Sequence, residues 1–543
     1  MKEKRIILFL SILIIAFMAI SMLMPLTDTS EARYATIAKT MVDDGDIWAP
    51  KIWMDGKLLP FMGKPPLGFW MMAGSMKIFG NNGFAARFPA FFSSLLLLGI
   101  IFYVLNRYSC QYTALASLLI ISTTGSFFIL ANAALVDAVL SLFSIGAIFL
   151  YYSFLSDNRF RNKKKWSRLV FIFLGLAFIT KGPVGLVYFG IPVFFWTLLS
   201  GKWSTLKDHA WISGSLLFLL ITIPCFIFMD MAMPGFLRYF FINENFLRYT
   251  TSNYGDLYSG VSHKLFLGAA IPMTLVVCVP WILFPTYKVF ISIIHKKSGK
   301  TLKNSKPKLS IHHFILRIKE KCTPNETIFQ IGIIALALFW SCSTHLMLYY
   351  LILLVPLFGV WCAQYLRNSQ IKIEIITNIS IILILLYIII YIPMIFILDK
   401  SNSSRAIVKE AITLCHQNTK KDGNILFVRR VPYSGYFYGG SKVLPHAKET
   451  VEESIQRGMK NQSTIFIMKT KYFKRIPEPL ARNLQIKVKQ KQWIIATISG
   501  GKGIVSKKIN LIGAYKNYTN QDNLAEKIKH TGTFTDRKRR VER

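Results

Sequence analysis

The sequence predicts a mainly α-helical, polytopic membrane protein that ends in a small α/β domain. Three observations carry that prediction. The 543-residue chain is 53% hydrophobic and only 17% charged, whereas a soluble chain of this size holds about a quarter charged residues and divides into several cores. Its apolar residues come in blocks of about twenty, as at 6–24, 88–105 and 373–398, a length that crosses a bilayer core as helix. Beyond residue 398 the charges rise, the apolar runs shorten and β-type segments appear.

The net charge of +38 suggests nucleic-acid binding only if the chain is soluble. Its distribution excludes that class. Basic clusters fill short gaps between apolar blocks: MKEKR at the start, 158–168, 295–308 and, more weakly, 367–372. With these gaps cytoplasmic, the positive-inside rule holds throughout. The gaps at 26–86, 131–134, 181–183, 230–263 and 343–349 then lie outside with the acids and aromatics. About eleven spans result, or eleven to thirteen when the short ones are divided. The first block is a retained span, because it is long and lacks a small-residue cleavage site. The seven cysteines are scattered and form no CxxC pair, so neither a disulfide framework nor a thiolate metal site is expected.

Residues 1–398 therefore read as the membrane domain, with 26–86 as its long first outer loop. In that loop, 30–42 predicts an amphipathic helix lying flat in the interface. Tyr34, Ile37, Ala38, Met41 and Val42 recur at helical spacing, with Thr36, Lys39, Thr40 and Asp43 opposite. Gly45 is its expected C-cap. The stretch 53–70, aromatic and broken by prolines, is expected to run along the membrane surface. Residues 399–543 read as the external α/β domain. Strands are predicted in ILFVRRV, TIFIMKT and WIIATISG, helices near 403–416 and 447–460, and a basic end.

Ionisable residues beside apolar blocks are the candidates for chemistry. Asp28 and Glu31 stand three apart at a helix start, which reads either as a capping box or as two carboxylates facing a bound acceptor. Lys64 precedes two prolines that deny it helix, so it is either a snorkelling lysine or a phosphate clamp. Asp137 lies near the outer end of a block. Lys181, in a very short break between blocks, reads as the anchor of a tight turn. Glu244, Arg248, Asp256 and His263 share the outer loop at 243–263, and His263 is a candidate metal ligand. Tyr349 and Tyr350 open the next block at belt height. These charges gather on one face. A conduction path would instead spread them through the membrane depth.

DTSEARYATIAKTMVDDGDIWAP, GKPPLGFW, GNNGFAARFPA, LVDAVLSLF, GLAFITKGPVGL and ENFLRY, colinear over roughly 1–360, resemble the aminoarabinose-transferase branch of the GT-C membrane glycosyltransferases. That branch is related to the protein O-mannosyltransferases. The resemblance implies a chain in the bacterial inner membrane whose C-terminal domain is periplasmic. It implies transfer of a sugar, typically an amino sugar, from a polyprenyl (undecaprenyl) phosphate to lipid A or a related envelope acceptor, a change that reduces cationic-peptide binding. By the same resemblance Asp28, Glu31 and Asp137 are the catalytic acids, and Lys64, Arg33, Arg248 and Tyr350 hold the donor phosphate. Ser30 stands directly before EARY, where many relatives have Asp. Gly63 stands where a glutamate often precedes KPP and, in some relatives, binds a divalent metal with a histidine; His263 is the candidate for that histidine. The expected partners are the lipid-linked sugar, a glycolipid acceptor and membrane lipids, with no nucleic acid. Two other readings remain beside this one: a protein O-glycosyltransferase, and a flippase for lipid-linked sugars.

Overall fold

The computed structural model describes residues 23–54, 56–250, 265–286, 325–343, 346–418, 423–445, 449–461, 463–490 and 492–499, with single positions at 9, 12, 13, 16, 20 and 258. Two compact units account for the chain. The first takes Met1–Met24, Ser30–Ile52 and Leu59–Ile395, and the second takes Pro25–Thr29, Trp53–Leu58 and the chain from Phe396 on. Two short pieces of the first outer loop thus belong with the C-terminal part.

The first unit opens with α1 (Ser30–Asp44). Half of its expected polar face is inside: Thr36 and Thr40 are buried along with Ile37, Ala38 and Met41, while Lys39 is half-buried and Asp43 exposed. Burial costs little because both hydroxyls are satisfied locally. Thr36 Oγ1 donates to the carbonyl of Ala32 (2.7 Å) and Thr40 Oγ1 to that of Ile37 (2.8 Å). Gly45 ends the helix as expected, at φ 73°, with its N–H on the Met41 carbonyl at 3.1 Å. A two-stranded ribbon follows, β1 (Lys51–Met54) and β2 (Lys57–Pro60). The diproline then holds off helix until α2 (Leu67–Phe79).

Next come α3 (Gly83–Tyr108), α4 (Gln111–Thr123), α5 (Gly125–Ala131), α6 (Asp137–Ser156), α7 (Phe160–Lys181), α8 (Pro183–Ser200) and α9 (Trp211–Ala232). A π-helical segment, Tyr239–Leu247, precedes α10 (Ala270–Val277), α11 (Thr327–Ser341), α12 (Leu348–Ile352), α13 (Val355–Asn368) and α14 (Ile373–Ser401). Among the described residues five helices, α3, α6, α8, α9 and α14, are long and apolar enough to cross a membrane. The number is six if α4 and α5, bent by 73°, form one span. The larger count from sequence includes the block at 6–24, mostly outside the described residues, and blocks that fold as shorter helices such as α11 and α13. Helix α6 is buried on nearly every side. Ile382 and Ile389 of α14 lie bare, an apolar face suited to hydrocarbon.

The second unit is built on a four-stranded sheet. Its strands are β3 (Ile425–Phe427), β4 (Ile465–Lys469), β5 (Leu484–Lys489) and β6 (Trp493–Ile498), in the order β3-β4-β6-β5. The β3–β4 pair is parallel and the other two pairs are antiparallel. Alternation sorts the side chains. Ile425, Phe427, Ile465 and Ile467 meet Ile407, Val408 and Ala411 of α15 (Arg405–Asn418) on one face. Leu426, Phe466 and Met468 meet Val451 and Ile455 of a later helix (Val451–Met459) on the other. Covered on both faces, the strands are near-continuous apolar runs, which is why the sequence shows β3, β4 and β6 clearly. Strand β5 (LQIKVK) lies at the edge and alternates with charge, and it escaped that reading. So did a short helix, α16 (Tyr433–Gly439), just after β3.

Candidate active site

Lys64 sits between Gly63 and the diproline, buried, with its ammonium donating to the Gly63 carbonyl at 2.7 Å. The first turn of α2, just after this loop, is held against the start of α6 by a close approach that only glycine permits. A Cβ on Gly68 would lie 2.4 Å from Cγ1 of Val136, the residue before Asp137. The turn between α7 and α8 is built in the same way. Gly182 has φ +73°, and a Cβ there would lie 2.5 Å from the ring of Phe240 in the π-helical segment. The turn carrying Lys181 and the segment carrying Glu244 are thereby pressed together.

Lys64, Lys181, Glu244, Arg248 and Tyr350 line one cavity of about 480 Å³ in the first unit. Oε1 of Glu244 accepts from Lys64 Nζ and from Arg248 Nη1, the latter at 2.5 Å. Glu244 and Arg248 are four residues apart, and the widened π turn leaves them on one side. Lys181 Nζ donates to Oδ1 of Asp137 at 2.5 Å and lies 4.4 Å above the ring of Tyr350. Aromatic rings form the rest of the wall: Trp340 stacks on Tyr350 at 4.8 Å and Tyr249 on Phe339 at 5.3 Å. Three cations and an apolar wall lining one cavity suit an anionic head on an apolar chain.

The residues singled out from the sequence are divided by the fold. Lys64, Arg248 and Tyr350 line the cavity, and Asp137 reaches it through Lys181. Arg33 is buried with its guanidinium 5.3 Å from the ring of Tyr34 and does not line the cavity. Glu31 is engaged elsewhere in the first unit, by Arg87 Nε at 2.7 Å and the N–H of Ala134 at 3.0 Å. Asp28 belongs to the second unit. Its Oδ1 accepts the N–H of Ser434 in α16 at 2.9 Å and its Oδ2 the Ser434 hydroxyl at 2.5 Å. Its own N–H donates to the Asn402 carbonyl at 2.8 Å. Burial raises the Asp28 pKa above the usual carboxylate value, against the opposing pull of the Ser434 hydrogen bonds. His263 lies outside the described residues.

Sequence reasoning gave Lys181 a turn-anchoring role only, assigned no role to Glu244 and passed over Ser434. The i, i+4 spacing of Glu244 and Arg248 was the available signal for that pair. Nothing local marks Ser434, which meets Asp28 across 406 residues of chain. Among the described residues no three His, Cys, Asp or Glu side chains group as ligands. Position 63 offers no carboxylate, and a Cβ there would meet the Phe61 ring at 2.9 Å.

Comparison with known proteins agrees with this architecture. Residues 63–228 match the family model described as dolichyl-phosphate-mannose-protein mannosyltransferase. The chain is 26% identical over 253 residues to the undecaprenyl phosphate-α-4-amino-4-deoxy-L-arabinose arabinosyl transferase of Edwardsiella ictaluri, covering 46% of this chain and 44% of that one. It is 27% identical over 268 residues to the enzyme of the same name from Aeromonas salmonicida, covering 48% and 45%. The match thus spans under half the length of these relatives. The crystal structure of ArnT from Cupriavidus metallidurans bound to undecaprenyl phosphate superposes with a TM-score of 0.65 over 92% of this chain and 99% of that one, at 15% identity. The apo structure of the same protein superposes with a TM-score of 0.66 at 16% identity, over the same shares of the two chains. The chain is thus similar to these aminoarabinose transferases over part of its length and has the GT-C membrane fold. The cavity lies within this fold, on the α2 loop, the α7–α8 turn, the π-helical segment and the α11–α12 region.

Proposed function

We propose that this chain is a polyprenyl-phosphate-sugar-dependent glycosyltransferase of the bacterial inner membrane. It moves a sugar, an amino sugar by its relatives' names, from undecaprenyl phosphate to lipid A or a related glycolipid on the periplasmic side. The observation that carries this reading is the cavity in which Lys64, Lys181 and Arg248 meet an aromatic wall. The names of the curated relatives and the lipid bound in the Cupriavidus structure support the choice of donor.

Attack of the acceptor oxygen on C1 of the sugar, with inversion, breaks the bond from C1 to the phosphate oxygen. Negative charge grows on the departing phosphate, and Lys64, Lys181 and Arg248 would stabilise it. Asp137 keeps Lys181 charged and oriented. Asp28, held by Ser434, would receive the proton of a hydroxyl acceptor, and would only position an acceptor that is already an ionised lipid A phosphate. The external domain and the basic chain suit an anionic acceptor surface.

The test is transfer by the purified full chain in lipid nanodiscs, given an undecaprenyl-phosphate amino sugar and lipid A, and read by mass spectrometry. Absence of a glycosylated lipid A product, with the protein folded and both lipids present, refutes this acceptor. The family model described for protein mannosyltransferases supports a second reading, transfer to a protein hydroxyl. Adding a Ser/Thr peptide to the same assay separates the two.

A further inference from the structure

A carboxylate inside a cavity meant for a phosphate is an unexpected element, and Glu244 is one. Its residue is 6% exposed, Oε1 binds both Lys64 and Arg248, and Oε2 is buried with no hydrogen-bond partner among the described residues. Burying a carboxylate oxygen without a partner is costly. The second carboxylate within reach, Asp137, balances Lys181 instead. Among the described residues, two of the three cavity cations share one carboxylate and the third has its own, which leaves one net positive charge for a ligand.

That single charge matters because the donor and the lipid product of the proposed reaction differ in charge. A prenyl-phosphate sugar is a phosphodiester with one negative charge. When the acceptor bonds to C1, the C1–O bond to phosphate breaks and the phosphate oxygen keeps the electron pair. A hydroxyl acceptor passes its proton to the base, Asp28 in this reading. The prenyl phosphate left behind is a monoester with a second ionisation near pH 6, so it approaches two charges at neutral pH. We propose that Glu244 is a resident counter-anion that makes this cavity favour the singly charged diester over the doubly charged monoester, and so promotes release of the lipid product. Glu244 holds Lys64 and Arg248 in place before the donor arrives. Once the phosphate gains its second charge, the neighbouring carboxylate repels it. This inference rests on the donor class assigned above, and it adds a selectivity that the reaction itself does not require.

The experiment is equilibrium binding to the full chain in nanodiscs at pH 8, which reads neither transfer nor acceptor. The probes are farnesyl phosphate, a monoester, and its methyl ester, a diester. The wild-type protein is expected to bind the methyl ester several-fold more tightly. Glu244→Gln should bind the monoester on the order of ten-fold more tightly than wild type, erasing or inverting the preference, whereas Glu244→Asp should retain it. Equal wild-type affinity for the two probes overturns the proposal, and that outcome does not depend on any variant folding. An unchanged preference in a folded Glu244→Gln protein overturns it as well, with the donor assignment intact. If the wild-type protein binds neither probe, the donor assignment fails and this proposal falls with it.

Discussion

Two buried carboxylates of the first unit make an instructive pair. Glu31 and Glu244 each sit against cations in the interior. Around Glu31 the contacts close on the fold itself: Arg87 Nε and the Ala134 N–H bind its Oε1, and Arg87 Nη1 caps the Met24 carbonyl at 2.8 Å. Around Glu244 they remain open. One oxygen takes both Lys64 and Arg248, the other has no hydrogen-bond partner among the described residues, and all three side chains border a cavity. Burial of charge within an apolar block is therefore not enough to mark a ligand site. The cluster that borders open space with hydrogen-bonding capacity left over is the candidate. The cluster that ties chain segments together reads as architecture.

The largest expected effect comes from the open cluster. Lys64→Ala removes the ammonium and leaves Glu244 with Arg248 alone, so kcat/KM should fall by about three orders of magnitude with the protein still folded. Initial rates with purified variant settle this. Turnover near wild type would remove Lys64 from the reaction and erase the contrast between the clusters. Next is Glu31→Gln, which leaves the buried Arg87 charge without its carboxylate and should cost about 3 kcal/mol of stability. Thermal unfolding in detergent measures it. Unaltered stability with transfer abolished would move Glu31 from architecture into the chemistry.

Ser434→Ala should act through Asp28. Two hydrogen bonds from Ser434 hold the Asp28 pKa down against burial, and the hydroxyl supplies one of them. If ionised Asp28 is the working form with a hydroxyl acceptor, activity falls as pH drops through its pKa. Losing the hydroxyl moves that acid limb to higher pH, and Ser434→Thr moves it back. A pH–rate profile with no displaced limb would leave the serine a purely structural contact. The smallest effect belongs to Tyr350→Phe. The variant keeps the ring beneath Lys181 and the stacking on Trp340, and a change of only a few-fold in donor KM is expected. A loss as large as that of Lys64→Ala would mean that the phenol itself grips the phosphate.

Much of this arrangement was legible in one dimension. Lys64 could be read because two prolines follow it, and the outer helix ended at Gly45 as its sequence implies. Strands β3, β4 and β6 announced themselves as apolar runs between turns. The burial of α1 was not legible, because Thr36 and Thr40 look polar until their hydroxyls are seen bonding their own backbone. Lys181 looked like a turn anchor because its partner, Asp137, stands 44 residues away.

Composition and block length alone determined that this chain lives in a membrane and carries a separate α/β unit at its end, because hydrophobic transfer is additive along a chain and needs no partner to be counted. Which charges act together was decided only by the tertiary structure. Glu244 meets Lys64 across 180 residues and Asp28 meets Ser434 across 406. Pairing energies depend on distance in space, steeply once water is excluded, and beyond a helical turn or so sequence separation says nothing of that distance.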